Sequence, residues 1–347
     1  MHLINSEELH SLVQKILLAA GADDRNADRV AEALVLSNLS GVDTHGIFHL
    51  PRYVNEIREG IIVPTAWPEI IRETPSTALI TGNWTFGHVV AKYAMEVAIQ
   101  KASAQSVVIV SFVQSTHIGR LGEYSEMAAS NGMIAIILAS GYGEENPAAV
   151  PFGGREPILH TNPISIGIPG GKEPAMVSDF ATTTIAGSKV RVAKIKGEQV
   201  PPGSLVDSEG KPTTDPSSWP TEGGLLPFGE HKGYAIMLAA EFLGRVLSGS
   251  DAFAETHHGG PYMRHQGVTL IVLKSDLFQP LEEFLNRADE LQSRMRAVPP
   301  ATGFEEVLVP GDLENRARDV RKRDGIPVAD EIWSSITDLA ESLDVAT

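Results

Sequence analysis

Hydrophobic positions recur with a helical period over the first part of the chain. Apolar residues within 9–17 and within 27–35 fall three or four positions apart, which is the spacing of one helix face. Asn5 followed by Glu8 matches a helix N-terminus, and Gly21 matches a helix end. The pattern predicts three helices, over residues 5–21, 24–39 and 44–60.

After Pro64 short apolar runs alternate with further helices, a pattern typical of an α/β protein. The predicted strands cover residues 78–82, 107–112, 134–139, 165–168, 176–179 and 268–273. The predicted helices cover residues 87–104, 123–129, 234–247 and 331–343. The strand at 107–112 and the strongly apolar helix at 234–247 are predicted to be buried. Residues 200–220, rich in Pro, Gly, Ser, Asp and Thr, are predicted to form a long ordered loop.

Composition and charge exclude several kinds of chemistry and of partner. The 347 residues contain no cysteine, so disulfides, thiolate catalysis and cysteine-bound zinc are excluded. The net charge of −16 argues against a nucleic-acid partner, because such sites need a basic patch. The basic residues within 316–323 are interrupted by Asp319, and we interpret them as a solvated helix face. Apolar runs are too short to span a bilayer and the N-terminus does not resemble a signal peptide, so we expect a cytoplasmic protein without a membrane partner.

Two short motifs each place a histidine directly after a threonine, with a glycine close behind. They are Asp43-Thr44-His45-Gly46 and Ser115-Thr116-His117-Ile118-Gly119. A histidine titrates near neutral pH and can exchange a proton with a carbonyl or alcohol oxygen, while the hydroxyl before it orients the ring or the substrate. His45 is predicted near the N-terminus of the third helix, where the helix dipole favours the neutral imidazole and attracts anions. His117 is predicted at the end of the strand at 107–112, where ligands collect in open α/β sheets.

The usual cofactor motifs are missing from the sequence. It has no G-x-G-x-x-G between a strand and a helix and no G-x-x-x-x-G-K-[ST] phosphate loop, so a standard dinucleotide-binding fold is not expected. The nearest anion site is residues 229–233, where Lys232 immediately precedes a predicted helix. From these residues alone, an exposed lysine in a turn is the preferred interpretation.

Further motifs complete a set that runs along the chain in a fixed order. They are Pro151-Phe152-Gly153-Gly154, Thr161-Asn162-Pro163, Asp179-Phe180-Ala181-Thr182-Thr183, Pro212-Thr213-Thr214-Asp215-Pro216, His231-Lys232-Gly233-Tyr234 and Pro310-Gly311-Asp312. Together with the two histidine motifs, this set resembles the type 2 malate/L-lactate dehydrogenase family over nearly the whole chain. That family includes sulfolactate and ureidoglycolate dehydrogenases, 2,3-diketogulonate reductase and piperideine-2-carboxylate reductase.

The resemblance implies a fold, a reaction and an assembly. The implied fold is α/β but not a standard Rossmann fold: an α/β body, here residues 76–304, joins a helical domain built from both chain ends, here residues 1–75 and 305–347. The implied reaction interconverts a 2-hydroxy acid and a 2-oxo acid with NAD or NADP, on a malate-like, lactate-like or sulfolactate-like substrate. Reduction of a cyclic imino acid is the alternative within the family. The implied assembly is a homodimer.

The resemblance also assigns site residues. His45 and His117 each match a histidine that serves as the acid/base in some members, with Thr44 beside His45, and both stay candidates. His49, Arg52 and Thr161 are candidates for substrate binding, although a simple turn explains Thr161 nearly as well. The positions that match cofactor contacts are Ser140, Ser178, Asp179, Phe180, His231, Lys232, Pro310, Gly311 and Asp312.

Three positions depart from the family pattern. Thr44 replaces a serine, which keeps the hydroxyl, and His160 stands where a glycine often precedes Thr-Asn-Pro. His49 stands where many members have an arginine suited to a substrate carboxylate, and an imidazole does not reproduce a bidentate guanidinium. Arg52 and Arg120 are candidate replacements. These departures leave the identity of the substrate open, including a non-standard one.

Two other classes of function stay open. His45 and His49, four positions apart on a predicted helix, have the spacing of a zinc pair, which His117, His160 or Glu123 would complete in a hydrolase. No acidic residue falls in the H-E-x-x-H register, so we expect no metal. The other class is a binding or regulatory protein that kept the scaffold and lost catalysis, because the arginine position is substituted.

Overall fold

The computed structural model describes residues 1–141, 147–217 and 219–346. The helices are α1 (Ser6–Ala19), α2 (Asp24–Leu39), α3 (Leu50–Arg58), α4 (Gly87–Gln105), α5 (Gly122–Ala129), α6 (Gly187–Lys196), α7 (His231–Glu241), α8 (Gly260–Met263), α9 (Leu281–Arg296), α10 (Asp312–Asp324) and α11 (Asp330–Ser342). The strands are β1 (His2–Ile4), β2 (Glu69–Thr74), β3 (Thr77–Thr81), β4 (Val107–Val113), β5 (Met133–Ala139), β6 (Ile164–Ile168), β7 (Met176–Phe180), β8 (Leu205–Val206), β9 (Pro212–Thr213), β10 (Gly224–Leu225), β11 (Val268–Lys274) and β12 (Ile326–Val328). Within this part of the chain, no helix is long and apolar enough to cross a membrane.

A mixed sheet of seven strands, in the order β2-β3-β4-β11-β5-β6-β7, forms the centre of the body. β3 and β4 run parallel, and the other neighbouring pairs run antiparallel. Side chains alternate between the faces of a strand, so Val108, Val110 and Phe112 of β4 share one core with α4 and α5. Each such side chain contributes about 1.5–3 kcal/mol when fully buried. This core fixes the end of β4, from which His117 follows.

The sequence predicts that β4 is buried, but the face of β4 opposite to this core is partly exposed. Val107 and Ile109 are exposed on this face. Ser111, on the same face, hydrogen-bonds Thr269 at 2.7 Å, and the Thr269 hydroxyl donates to the Leu243 carbonyl at 2.6 Å. Near Ser111 and Thr269 the sheet is therefore covered by the continuation of α7.

That continuation is a π-helix over Phe242–Val246, which extends α7 beyond its α-helical part. The apolar pattern predicted a buried helix, and Met237 and Ala240 are indeed in the core. Phe242 and Val246, however, are 56% and 60% exposed, so the prediction is wrong for the outer side of the helix. A single helix layer buries only its inner side, and the outer one stays exposed within the described part of the chain.

The two chain ends meet in a helical region with its own core. α1, α2, α3 and α11 contribute to this core, and β1 pairs antiparallel with β12, with Ile4 opposite Ile326. The predicted start of α1 is confirmed, because the Asn5 side chain accepts from the backbone N–H of Glu7 at 2.7 Å. β1 and β12 were not predicted, since strands of three residues leave too little pattern to detect.

A third, smaller core lies between residues 148 and 237. It includes the three-stranded sheet β10-β8-β9. β8 and β9 fall inside the region predicted to be a long loop, of which Ser218 lies outside the described residues. β2 was also not predicted, because most of its side chains are exposed and its sequence has no clear alternation.

The third predicted helix begins later than the sequence indicated. α3 starts at Leu50, and two 3₁₀ turns, Asp43–His45 and Ile47–His49, precede it. His45 is therefore not at the N-terminus of an α-helix, and the helix-dipole argument for its neutral form is wrong. Proline at the second position of α3 fits a helix start there, because a proline in the first turn needs no hydrogen-bond partner for its nitrogen.

Candidate active site

Three of the sequence-predicted residues, His45, His49 and His117, form one cluster, here called the histidine pocket, where the turns before α3 meet the segment after β4. The imidazole of His117 lies 5.9 Å from that of His45, in a stacked arrangement, and 4.7 Å from that of His49, measured between ring centroids. The rings of His45 and His49 are 6.4 Å apart. The two histidine motifs, more than seventy positions apart in sequence, thus form a single cluster.

The second motif is fixed by the close approach of α4. The Thr116 hydroxyl donates to the Thr85 carbonyl at 3.2 Å and accepts from the Gly87 N–H at 3.1 Å. A Cβ on Gly87 would lie 2.3 Å from the Thr116 carbonyl oxygen and 2.5 Å from that of His117. Only a glycine lets the start of α4 come this near. Thr116 therefore holds the loop and does not orient the imidazole.

Tyr53 of α3 orients the ring of His117. Its hydroxyl oxygen lies 2.6 Å from His117 Nδ1, and its side chain is 1% exposed. Burial raises the pKa of Tyr53, so the phenol stays protonated. This contact fixes the ring plane and leaves Nε2 as the free nitrogen.

His45 has a weaker orienting contact. The hydroxyl of Thr44 lies 3.2 Å from His45 Nδ1, and Thr44 is its immediate neighbour on a short turn. That Thr44 orients the ring of His45 stays a prediction, because this contact is 3.2 Å long, whereas the contact between Tyr53 and His117 is 2.6 Å long. His117 is thus the more firmly positioned of the two imidazoles.

Every histidine around the pocket is held in its neutral form. Burial, followed by the charge of Arg120, lowers the pKa of His45 to about 4. Burial and the charge of Arg52 lower the pKa of His49 to about 3. The pKa values of His117 and of His88, which lies behind it, fall well below the ordinary range, mainly through burial. At neutral pH these rings are therefore uncharged and can accept a proton.

Arg120 brings a fixed positive charge to this pocket. The residue is 4% exposed, its Nη2 donates to Glu126 at 2.5 Å, and its Nε lies 4.0 Å from Asp179. Its Nη1 is buried with no hydrogen-bond partner among the described residues. A buried guanidinium N–H is costly to leave unpaired, so this atom marks a place for an anion.

Arg52, the other candidate replacement for the missing arginine, is engaged within its own helix. Its Nε donates to Glu56 Oε1 at 2.6 Å, one helical turn away. Its charge still lowers the pKa of His49 and contributes at His160. Arg52 therefore lies beside the pocket with part of its hydrogen-bonding capacity already used.

Thr161 and the histidine before it are related to the histidine pocket through charge, because Arg52 and Arg191 act on His160 as well as on His49. The Thr161 hydroxyl lies 3.3 Å from His160 Nδ1. Burial, then the charges of Arg191 and Arg52, lower the pKa of His160 to about 4. Asn162, by contrast, is fully buried and structural, since its side chain bonds the Gly141 N–H at 3.0 Å and the Glu241 carboxylate at 2.9 Å.

Three of the predicted cofactor segments lie next to one another. Val177, which precedes Ser178, donates to the Pro310 carbonyl at 3.0 Å, so the 178–180 and 310–312 segments are neighbours. The exposed ring of Phe180 packs edge-on against Phe228 at 5.6 Å, just before the turn to α7. The α7 N-terminus has no side-chain cap, and His231 and Lys232 are exposed there.

Other predicted cofactor residues are occupied by protein contacts. Ser140 is fully buried, and its hydroxyl donates to the Gly267 carbonyl at 3.0 Å and accepts from the Gly267 N–H at 3.2 Å. The Asp312 carboxylate receives two bonds from Arg296, at 2.8 and 3.0 Å. Asp179 accepts from the Gly122 N–H at 2.7 Å and thereby ties β7 to the start of α5. Burial raises the pKa of Asp179 to about 6, against the opposing effects of Arg120 and the Gly122 N–H.

Comparison with known proteins assigns this architecture to a family. The malate/L-lactate dehydrogenase family matches residues 4–337. L-sulfolactate dehydrogenase of Methanothermobacter thermautotrophicus is 39% identical over 345 residues, which cover 99% of this chain and 97% of that protein. The chain belongs to the malate/L-lactate dehydrogenase family.

Solved structures agree with this membership. Sulfolactate dehydrogenase from Methanocaldococcus jannaschii has a TM-score of 0.88 at 34% identity, covering 99% of this chain and 98% of that one. Delta1-piperideine-2-carboxylate reductase from Pseudomonas syringae has a TM-score of 0.87 at 29% identity, covering 98% of this chain and 100% of that one. The resemblance found in the sequence and its fold class are confirmed. As a member of the malate/L-lactate dehydrogenase family, the chain is an oxidoreductase of the hydroxy acid dehydrogenase type, which implies a nicotinamide cofactor.

Sequence reasoning missed several residues of this site. Tyr53 follows His49 by one helical turn, and that spacing was the available signal. His88 lies 6.1 Å from His117 and 5.7 Å from Tyr53, ring to ring, yet nothing in its sequence context set it apart. Arg191 of α6 influences His49 and His160 from a separate part of the fold. Across the described ranges, no group of three His, Asp or Glu side chains has an arrangement that would hold a metal ion.

Proposed function

We propose that this enzyme interconverts a 2-hydroxy acid and a 2-oxo acid with NAD(H) or NADP(H), and that His117 exchanges the proton. The observation that carries the proposal is an imidazole fixed by a buried tyrosine, with a second imidazole stacked 5.9 Å away. The site also has a buried arginine N–H without a partner. The chemistry needs a proton acceptor, a group to hold the substrate and a cation for its carboxylate.

We propose that His117 carries its proton on Nδ1. When Nδ1–H donates to the Tyr53 oxygen at 2.6 Å, Nε2 carries the lone pair that takes the alcohol proton during oxidation. In the reverse direction, the protonated ring returns this proton to the oxygen of the 2-oxo acid. The negative charge of the entering carboxylate raises the pKa of the ring and so supplies the protonated form. The nicotinamide cofactor that the family implies would accept or supply the hydride, and the residues proposed to hold it are described below.

Arg120 is proposed to bind the substrate carboxylate. Its Nη1 is the unpaired buried donor, and its charge already acts on His45. Glu126 accepts a hydrogen bond from Nη2, which leaves the N–H groups of Nη1 for a ligand. In this scheme His49 does not replace the missing arginine, because Arg120 supplies the charge from the other side of the pocket. His45, together with Thr161, is then proposed to contact the remainder of the substrate.

The cofactor residues fit a charged, partly aromatic molecule. Lys232 and the uncapped N-terminus of α7 offer positive charge and free N–H groups to phosphates. Phe180 offers an exposed ring 5.6 Å from that of Phe228. A Cβ at Gly229 would meet nothing within 4 Å, so the turn before α7 leaves open space. We propose that the cofactor lies along the 178–180, 229–232 and 310–312 segments.

Reduction of a cyclic imino acid is the second candidate. It is favoured by the structural likeness to delta1-piperideine-2-carboxylate reductase over 98% of this chain. The same His117 would protonate the imine nitrogen while the hydride reaches carbon, and Arg120 would again bind the carboxylate. The two candidates share the site and differ only in the reacting group.

We further propose that the protein is a homodimer. Phe242, Val246 and Leu247 are exposed on the outer side of the extended α7, and Val107 and Ile109 are exposed on the sheet face that α7 covers in part. Such an apolar surface is unusual on a monomer. Light scattering at micromolar concentration is expected to give twice the mass of the 37.2 kDa chain, and a monomer would contradict the proposal.

The test of the function is a substrate screen. Purified protein is mixed with pyruvate, oxaloacetate, sulfopyruvate or a cyclic imino acid and with NADH or NADPH, and the nicotinamide absorbance is followed. We expect at least one 2-oxo acid to be reduced faster than the cyclic imine. Faster turnover of the imine would favour the second candidate. Cofactor binding without turnover of any of them would contradict both.

A further inference from the structure

The turn that carries His45 is anchored by a helix from the other end of the chain. Arg321 of α10 donates from Nη1 to Asp43 Oδ1 at 2.6 Å and from Nη2 to Asp43 Oδ2 at 3.1 Å. The same Nη1 also reaches the Asn38 carbonyl. The bidentate geometry fixes the direction of the carboxylate as well as its distance.

Asn38 of α2 completes this anchor from the opposite side. Its Nδ2 donates to Asp43 Oδ1 at 2.7 Å, and its Oδ1 accepts from the Ile47 N–H at 2.9 Å. A Cβ on Gly46 would lie 2.1 Å from Asn38 Oδ1, so only glycine leaves room for this side chain. Asp43 and Ile47 are thus both fixed, on either side of His45.

A second arginine of the same helix, Arg318, acts on the part of the site that contains Arg120. Arg318 donates from Nη2 to both oxygens of Glu126, at 2.6 and 2.8 Å, and from Nε to the Ser40 hydroxyl at 2.8 Å. Glu126 is also the carboxylate that holds Arg120. Burial opposes ionisation of Glu126, but the charges of Arg120 and Arg318 outweigh it and lower its pKa. Glu126 is therefore ionised. It connects α10 to Arg120, the residue proposed to bind the substrate carboxylate.

These contacts overturn the interpretation of residues 316–323 as a solvated helix face. Arg321 and Arg318 are only 17% and 16% exposed, whereas Arg323, on the same helix, is 71% exposed and pairs with its neighbour Asp324. The helix presents a solvated side and a side that faces the active site. The alternation of acidic and basic residues in the sequence does not separate the two.

We propose that α10 is a positioning element of the active site, in which Arg321 holds the His45 turn through Asp43 and Arg318 holds Arg120 through Glu126. The proposal rests on the function proposed above for His45 and Arg120. Neither arginine of α10 touches the substrate; each acts through the residue that it binds. The C-terminal segment is consequently needed for the geometry of the site as well as for the fold.

The first test measures coupling between Arg321 and His45. Arg321→Gln is expected to raise KM for the best 2-oxo acid by about 5- to 20-fold in the wild-type background, the size expected for coupled neighbours. It should have no further effect in a His45→Ala background, because its action passes through His45. Cofactor affinity and thermal midpoint should stay near the wild-type values. Equal effects in both backgrounds would overturn the proposal.

Asp43→Asn and Arg321→Lys test the same contact with smaller changes, so that an effect on KM can be separated from a loss of folding. Asp43→Asn keeps the contact with Asn38 and should reproduce the KM change, while Arg321→Lys should restore part of it. Arg323→Gln is the matched control on the same helix and should leave KM unchanged, since its pair with Asp324 is exposed. An effect of Arg323→Gln equal to that of Arg321→Gln would show a general effect of charge and overturn the proposal.

An activity-independent measurement separates this inference from the proposed function. With the histidine rings labelled, the Cε1–H resonance of His45 is assigned by its loss in His45→Ala. The resonance is expected to move in Arg321→Gln and to stay in place in Arg323→Gln, whether or not a substrate has been found. An unmoved His45 resonance in Arg321→Gln would overturn the inference even if the enzyme reduces 2-oxo acids. Failure of the substrate screen with a moved resonance would count against the proposed function alone.

Discussion

The histidine pocket and the proposed cofactor surface are built in different ways. In the pocket, side chains from distant segments fix one another: Tyr53 orients His117 at 2.6 Å, and Asp43 is held by two residues of other helices. On the cofactor surface, His231, Lys232 and Phe180 are exposed. The histidine pocket is thus fixed by protein contacts, whereas these three groups of the proposed cofactor surface are exposed.

One set of contacts connects the two regions. Asp179 lies on β7 beside the predicted cofactor segments, and its carboxylate binds the Gly122 N–H at 2.7 Å and lies 4.0 Å from Arg120 Nε. A shift of β7 on cofactor binding would therefore reach Arg120 directly. We therefore expect a substitution in the histidine pocket to change turnover or substrate KM. A substitution on the proposed cofactor surface should instead change cofactor affinity.

The largest effect is expected from the proton-exchanging imidazole. His117→Ala should lower kcat by about 10²–10⁴-fold, because the alcohol proton loses its acceptor. His45→Ala should act mainly on KM, and neither should change cofactor affinity. Steady-state kinetics and cofactor titration check this, with His10→Ala, a surface residue beside Asp28, as the control. A larger loss of kcat in His45→Ala than in His117→Ala would exchange the two roles.

Arg120 should give the next largest effect. Arg120→Lys keeps a charge but loses the fork that reaches both Glu126 and a carboxylate, so KM for the 2-oxo acid should rise by about 10- to 100-fold. Cofactor affinity should change much less. Arg155→Lys, at an exposed arginine paired with Glu156, is the control. An unchanged KM in Arg120→Lys would mean that the carboxylate is bound elsewhere, with Arg52 the first alternative.

A smaller loss is expected when the orienting hydroxyl is removed. Tyr53→Phe keeps the ring in the core but takes away the oxygen 2.6 Å from His117 Nδ1. Loss of one such hydrogen bond should lower kcat by about tenfold, with cofactor affinity unchanged. Single-turnover kinetics separate this from slower product release. A wild-type rate in Tyr53→Phe would show that packing alone sets the orientation of the ring.

On the proposed cofactor surface we expect a substitution to change cofactor affinity and to leave turnover nearly unchanged. Lys232→Ala should weaken cofactor binding by roughly tenfold, because one charge-assisted contact to a phosphate is lost. The rate at saturating cofactor should be nearly unchanged. Fluorescence titration with NADH and NADPH measures the affinity, and Lys211→Ala, on an exposed lysine paired with Glu209, is the control. If Lys232→Ala binds the cofactor normally, Lys232 is not part of the site.

The sequence predicted regular elements and local motifs better than contacts between distant segments. The regular helix α2 was predicted to the residue, and the two histidine motifs were found, because periodicity and local motifs are readable in one dimension. Tyr53, His88 and Arg321 were not found, because their roles depend on contacts between segments up to 283 positions apart. The position of His45 was misjudged for a related reason: tertiary contacts from Asn38 and Arg321 impose a 3₁₀ turn where the pattern favoured a helix.

The measurement that tests the account most directly is a titration of the two active-site imidazoles. The central claim is that the pocket keeps His45 and His117 neutral and ready to accept a proton. With labelled histidine and assignment by substitution, the Cε1–H shifts of both residues should stay constant from about pH 8 to about pH 5, because burial lowers the pKa of His45 to about 4 and that of His117 well below the ordinary range. Exposed imidazoles ordinarily titrate near 6.5. A transition of either residue between about pH 6 and pH 7 in the free enzyme would contradict the account.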